Sequence, residues 1–192
     1  MFEELIKYDK ELFLFLNGLG SESWDGFWMF ITNKWGSIPL YLLLLILSFR
    51  YFGWKMTLLI MLSVALMITA TDQLANLFKG SFERLRPCHD DEILHQMRLV
   101  KSYCGGKFGY FSAHAANAFA AATFFALLLK EKMQWFPLFL LFWALTVAYS
   151  RIYIGVHFPL DIVTGMSFGM LLGWGFFKLK SVIERKADWF SS

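Results

Sequence analysis

The sequence predicts an all-α integral membrane protein, a helical bundle with about five transmembrane helices preceded by N-terminal interfacial helices. Three observations predict it. Of 192 residues, 57% are hydrophobic before the 14 Gly are added, against roughly 45–50% apolar, Gly included, in a soluble domain. Only 17% are charged, and 22 Phe, 8 Trp and 7 Tyr make the chain strongly aromatic. The apolar residues also gather in stretches near the ~20 residues that a helix needs to cross a hydrocarbon core. Disordered, collagen-like and disulfide-dense secreted chains are excluded. A net charge of +3, scattered along the chain, argues for no nucleic acid as partner and for the phospholipid bilayer instead. The length suits a single domain over 1–192.

Residues 1–35 are apolar but broken by charges and by a Gly-rich joint, which predicts two short amphipathic helices lying at the interface. The acidic start (Glu3, Glu4) lacks the basic segment and small-residue cleavage site of a signal peptide. A transmembrane bundle is expected over 36–177, with spans at about 36–54, 56–77, 111–129, 133–150 and 159–177. Arg50 lies near the end of the first span, where it can snorkel. The third, AANAFAAATFFALLL, is rich in small residues that let neighbouring helices approach closely. Trp35, Trp54 and Trp135 fall near span ends, as in an aromatic belt.

Five spans place the two chain ends on opposite sides. Arg50, Lys55, Lys130, Lys132, Lys178, Lys180, Arg185 and Lys186 share one side, and the other ten Lys/Arg lie opposite. Four of those ten (Lys79, Arg84, Arg86 and Arg151) can have a chemical reason to be there. Setting them aside favours a cytoplasmic tail at 178–192 and an extracytoplasmic loop at 79–110. Cys88 and Cys104 both sit in that loop. An oxidising periplasm would permit a disulfide between them; two free thiols are the alternative.

The few polar residues carry the functional signal. Thr69, Asp72, Gln73, Asn76 and Lys79 recur at helical spacing and make one polar stripe on span two. Such a stripe should face other helices or a wet cavity. Interhelical hydrogen bonding is the expected role of Thr69, Gln73 and Asn76, while Asp72 reads equally as glue or as support for a site. Lys79, Arg84 and Arg86 put three cations within eight residues. Ser112, before the third span, is a natural N-cap at a helix end suited to an anion. Arg151 ends span four. His157 and Asp161 lie four apart at the entrance to span five, where the carboxylate can hold one imidazole nitrogen and leave the other nucleophilic. Alternating spans bring all these places to one membrane face, with His114 at the start of span three. Two His for nucleophile and acid, an Asp to orient and several cations for an oxyanion form a coherent chemical set.

These motifs resemble the type 2 phosphatidic acid phosphatase family, the membrane lipid phosphatase branch of the vanadium haloperoxidase superfamily. The pattern Lys-x6-Arg-Pro is met by Lys79 to Pro87, and Ser-Arg-x5-His-x3-Asp by Ser150 to Asp161. Between them, Phe111-Ser112-Ala113-His114 departs from Pro-Ser-Gly-His at two positions. The resemblance implies that His157 attacks phosphorus to form a phosphohistidine, that Asp161 orients it, and that His114 protonates the leaving oxygen and then activates water. Lys79, Arg86, Arg151 and Ser112, with the backbone N–H of Ala113, would hold the phosphate.

The resemblance implies no metal and no other cofactor. His89, Asp90, Asp91, Glu92 and His95 read as a solvated acidic loop rather than a metal cluster. The expected partner is a lipid phosphate substrate, at the periplasmic face of a bacterial inner membrane. Undecaprenyl diphosphate is the favoured substrate for so compact a chain, with phosphatidylglycerol phosphate, phosphatidic acid and lipid A phosphates as alternatives. A lipid transporter or scramblase, and an inactive relative that only binds phospholipid, are the competing readings. A transport path should carry polar groups through both halves of the membrane, whereas here they gather at one end.

Overall fold

The computed structural model describes residues 2–186, which form six α-helices and one 3-10 turn. Helix α1 (Phe2–Gly18) carries Glu3 and Glu4 in its first turn, where carboxylates oppose the helix dipole. After a short joint, α2 (Glu22–Thr32) leads directly to α3 (Lys34–Phe82), whose start is capped by the Asn33 side chain accepting from Trp35 N at 3.1 Å. Helical geometry in α3 is broken at Gly53, which has φ 74° and ψ 175°. Glycine takes that backbone without a Cβ clash. Tyr41, Leu44 and Ser48 before the break share a groove with Val64, Ile60 and Thr57 after it, so the two arms fold back antiparallel. The arms, 34–52 and 54–82, correspond to the first two expected spans.

Helices α4 (Ala113–Leu129), α5 (Phe136–Tyr153) and α6 (Pro159–Lys186) follow. Trp35–Phe82, Phe136–Tyr153 and Pro159–Lys186 are long and apolar enough to cross a membrane, while α4 is apolar but shorter. Pro137 in the first turn of α5 places its start three residues later than the expected 133. Helix α6 runs on past the expected end at 177, with Lys180 paired to Glu184 at 2.7 Å. The expected tail therefore begins as helix, and its residues 187–192 lie outside the described residues.

Helix α4 is the most enclosed element, and the reason is its small side chains. Gly165, Gly169 and Gly173 of α6 face Ser112, Ala116 and Ala120, both sets at steps of four. A Cβ on Gly165 would stand 2.6 Å from Ser112 O, and one on Gly173 2.5 Å from Ala120 O. Backbone therefore lies against backbone, the close approach that small residues permit. This contact fixes the relative register of α4 and α6, and with it the register of the residues at their N-termini.

The N-terminal helices pack against the same end of the bundle. Phe13 is fully buried and meets Phe158 edge-on at 5.3 Å. Asn17 donates to Ile152 O at 3.0 Å, which also accepts from Gly155 N, and to Tyr153 O at 2.9 Å, tying α1 to the end of α5. Between α3 and α4, residues 84–86 pair with 107–109 through Arg86 N to Lys107 O at 3.1 Å and Gly109 N to Arg84 O at 2.9 Å. Cys88 and Cys104 are bonded just beyond this pairing, with Cα atoms 6.0 Å apart.

Candidate active site

His157 and Asp161 sit where the chain turns from α5 into α6. Gly155, with φ 83°, makes the turn, and a Cβ there would stand 2.6 Å from Arg98 O. His157 Nδ1 lies 3.3 Å from Asp161 Oδ2, which also accepts from Phe158 N at 3.0 Å. A carboxylate only accepts, so Nδ1 carries the proton and the Nε2 lone pair stays free. Both side chains are buried. Burial, followed by the cations of Arg151, Arg86 and Lys79, holds the His157 imidazole well below the ordinary histidine range, against an opposing backbone hydrogen bond at Gly109. Neutral imidazole is the form that can attack phosphorus.

The second side of the site comes from α4. Ser112 caps it, with its Oγ accepting from Ala115 N at 3.4 Å, and Ser112 N donates to Asp161 O at 3.0 Å. The N-termini of α4 and α6 are thereby tied together. Ala113 is the first residue of α4 and takes helical geometry, so the expected Gly position needs no positive φ here. Its N–H belongs to the first turn, which leaves donors pointing outward for an anion. Phe111, at the position of the expected Pro, is fully buried and stacks on Phe168 at 5.5 Å. His114 is exposed, and lines a cleft with Thr32 and Asn117.

Cations complete the arrangement. Lys79 interacts electrostatically with Arg86, Arg151 and Asp161, and His114 with Arg151, His157 and Lys79. Arg86 is steadied by its Nε donating to Phe108 O at 3.2 Å, within the 84–86 and 107–109 pairing. Arg151 is buried, its Nη1 bonds Thr32 Oγ1, and its Nε has no partner among the described residues. An unpartnered guanidinium donor at the floor of a cationic site suits an anionic oxygen. The structure thus brings together Lys79, Arg86, Ser112, Ala113, His114, Arg151, His157 and Asp161. Cys88 and Cys104 stand apart from the reacting groups and act on the loop that carries Arg86.

Other expectations need correction. Thr69 bonds Ala65 O of its own helix at 2.9 Å, and Gln73 and Asn76 are exposed. Interhelical bonding is instead made by Asp72, which accepts from Asn117 Nδ2 at 3.0 Å, and by Thr71 with Asn117 Oδ1. The helix is rotated so that position 71, outside the stripe, faces α4. In the acidic loop, Asp90 and Glu92 pair with Lys10 at 2.7 and 2.6 Å, which ties the loop to α1.

Sequence reasoning missed Asp9 and left Arg84 without a role. Arg84 Nη1 donates to Asp161 Oδ1 at 2.9 Å, and its Nη2 pairs with Asp9 Oδ2. Asp9 Oδ1 accepts from Leu160 N at 2.8 Å, and the Arg84 guanidinium lies 4.4 Å from the Phe158 ring centre. Asp161 is thus held from behind by a residue of the loop, itself held by α1. The only sequence signal is an acidic residue on an otherwise apolar helix face.

The chain resembles known proteins in sequence and in fold. The profile of the PAP2 superfamily matches residues 54–184. The lipid A 4'-phosphatase of Bacteroides thetaiotaomicron is 37% identical over 179 residues, covering 92% of this chain and 79% of that protein. The lipid A 4'-phosphatase of Porphyromonas gingivalis is 33% identical over 180 residues, covering 92% and 75%. Among solved structures, Aquifex aeolicus LpxE aligns with a TM-score of 0.67 and 28% identity over 88% of this chain and 93% of its own. The transmembrane PAP2 type phosphatidylglycerolphosphate phosphatase of Bacillus subtilis aligns with a TM-score of 0.73 over 95% and 89%, and at 22% identity shares the fold.

Proposed function

The chain belongs to the PAP2 superfamily, and from that premise we propose that it hydrolyses a phosphate monoester on the sugar of a lipid A-type glycolipid through a phosphohistidine. That it is a membrane lipid phosphatase follows from its family and relatives. One observation carries the mechanism: a neutral, carboxylate-oriented His157 beside His114, Lys79, Arg86 and Arg151. His157 Nε2 forms a bond to phosphorus as the bond to the sugar oxygen breaks, and His114 delivers the proton to that oxygen. His114 then takes a proton from water as water displaces His157 from phosphorus. Arg86, Arg151, Lys79 and the Ser112 hydroxyl balance the charge on the three equatorial oxygens. These cations supply the stabilisation for which other phosphatases use metal ions.

The substrate reading rests on the two lipid A 4'-phosphatases, which extend over nine-tenths of this chain. They direct the choice away from undecaprenyl diphosphate, the substrate favoured by chain length alone. The scramblase reading has no comparable support, since the residues gathered around His157 lie at one end of the bundle. The reading places the site at the periplasmic face of the inner membrane.

The test is phosphate release in detergent with EDTA present. Lipid A carrying a 4'-phosphate is compared with undecaprenyl diphosphate, phosphatidic acid and phosphatidylglycerol phosphate. Preferred turnover of the lipid A phosphate, lost in His157→Ala, is expected. Preferred turnover of another lipid overturns the substrate, and full activity of His157→Ala overturns the mechanism.

A further inference from the structure

The segment that leads from the acidic loop to α4 is anchored at both ends against the candidate site. At its start, Arg98 N donates to Asn17 Oδ1 at 2.7 Å, and Arg98 Nη2 pairs with Asp25 at 3.1 Å. A Cβ on Gly155, just before His157, would stand 2.6 Å from Arg98 O and 3.4 Å from Leu99 Cα. Val100 packs with Tyr153, Ile154 and Val156 around the same turn. At its end, a Cβ on Gly105 would lie 3.8 Å from Arg86 Nη1, and one on Gly109 3.5 Å from Asp161 Oδ2. Cys104 is bonded to Cys88, and Gly105 O lies 3.4 Å from His89 Nε2. Residues 98–109 therefore run along the rim of the site, from the turn that carries His157 to the guanidinium of Arg86.

Lys101 and Tyr103 stand between these anchors. Lys101 is half-buried, with its Nζ 4.7 Å from the centre of the Tyr103 ring, and Tyr103 is exposed. Lys101 acts electrostatically on His114, and Tyr103 on Arg151. Other cations near this loop have carboxylate partners: Lys10 pairs with Asp90 and Glu92, Arg98 with Asp25, and Arg84 with Asp9 and Asp161. Among the described residues Lys101 has none, and its contact is with the ring alone.

Position decides what such a charge can meet. In an in-line displacement the leaving oxygen lies opposite His157, and His114 is the group assigned to protonate it. A cation beside His114 therefore faces the part of the substrate that leaves, whereas Lys79, Arg86 and Arg151 are assigned to the phosphoryl oxygens. An ammonium resting on an aromatic face is held in direction and partly shielded from water.

We propose that Lys101, set on Tyr103, is a specificity-determining residue that binds a second anionic group carried by the leaving portion of the substrate. The proposal rests on the phosphatase reading of His157 and His114 and adds a charge preference to it. A lipid phosphate whose leaving portion is itself an anion is favoured over one whose leaving portion is neutral.

Two substrate pairs in neutral detergent, which holds no anionic bilayer lipid, isolate that charge. Lipid A with a phosphate on each sugar is compared with lipid A carrying the 4'-phosphate alone. Phosphatidylglycerol phosphate, whose leaving portion keeps a phosphodiester, is compared with phosphatidic acid, whose leaving diacylglycerol is neutral. Lys101→Gln should lower kcat/KM about tenfold, mainly through KM, on the member with the charged leaving portion and far less on the other. That is the scale of one charge-assisted hydrogen bond. Lys101→Arg should keep most of the difference, and Lys107→Gln, on an exposed lysine of the same loop, should keep all of it. Equal effects of Lys101→Gln on both members of a pair, or on neither, overturn the proposal. Phosphate release from the second pair alone removes lipid A from the substrate reading, and the ratio within that pair still tests Lys101. No release by wild type from any of the four lipids overturns both.

A second measurement varies ionic strength. Raising the salt should narrow the wild-type difference within a pair, because screening weakens a contact partly open to water, while the Lys101→Gln ratio stays flat. Parallel salt dependence in the two proteins overturns the assignment.

Discussion

His157 is surrounded by positive charge and by protein, and both oppose its protonation. A histidine depressed in this way binds its proton later in the folded chain than in the unfolded one. Its contribution to stability is therefore complete above the ordinary value of about 6.5 and is lost as pH falls toward the folded value. The acid limb of kcat/KM should lie below pH 6.5, and a limb centred at or above it contradicts a neutral nucleophile. His114→Ala should lower kcat by about 10²–10⁴-fold, the range of general acid–base groups. A leaving group of low pKa should recover part of that loss in the same assay. Asp9 acts at one remove, through Arg84. Removing one partner of a buried ion pair costs about 3–5 kcal/mol, so Asp9→Ala should lower the thermal midpoint and also kcat, while Asp9→Glu restores part of both. Loss of stability with kcat unchanged would show that Arg84 holds Asp161 without help from α1.

At the scale of elements, the α4–α6 contact is the frame on which the two histidines are set. Gly169 faces the Ala116 backbone so closely that any side chain must push the helices apart. Gly169→Leu should destabilise by about 1–3 kcal/mol or more and remove activity, whereas Gly175→Ala on the same helix, with open space around it, should do neither. Differential scanning fluorimetry with phosphate release separates the two. The 84–109 segment makes a similar frame for Arg86, closed by the bond between Cys88 and Cys104. A loop of this length is worth about 3 kcal/mol in the chain-entropy account. Cys104→Ser should accordingly lower the thermal midpoint and weaken substrate binding, seen as a higher KM. Mass spectrometry of unreduced protein taken from cells reports the bond itself, and two free thiols there would remove it.

For the whole molecule, the decisive property is that the charged residues of the candidate site lie at one end of an apolar bundle. A site at that level can take a phosphate from a lipid whose chains never leave the bilayer. A membrane-impermeant thiol reagent should label a cysteine placed at Lys107, in a Cys88→Ser/Cys104→Ser background, from outside the inner membrane. A cysteine placed at Lys132 should remain protected, and the reverse pattern inverts the orientation.

Much of this was legible in the chain. Hydrophobic run lengths marked the apolar helices, because each crossing of a bilayer needs ~20 mostly apolar residues. The spacing of Lys79, Arg86, Ser112, His114, Arg151, His157 and Asp161 marked the candidate site, because alternation of helices decides which ends meet. What the sequence determined by itself was therefore the membrane, the class of chemistry and the set of candidate residues. Tertiary structure alone decided the rest. Asp9 and Thr32 touch the site from a segment without a motif, since their partners are distant in sequence and carry no spacing signal. Thr71 rather than Thr69 faces α4, because helix rotation follows from packing on every side at once. The groove between the arms of α3 exists only because Gly53 folds one apolar run back upon itself, and local composition cannot show which surfaces that fold brings together.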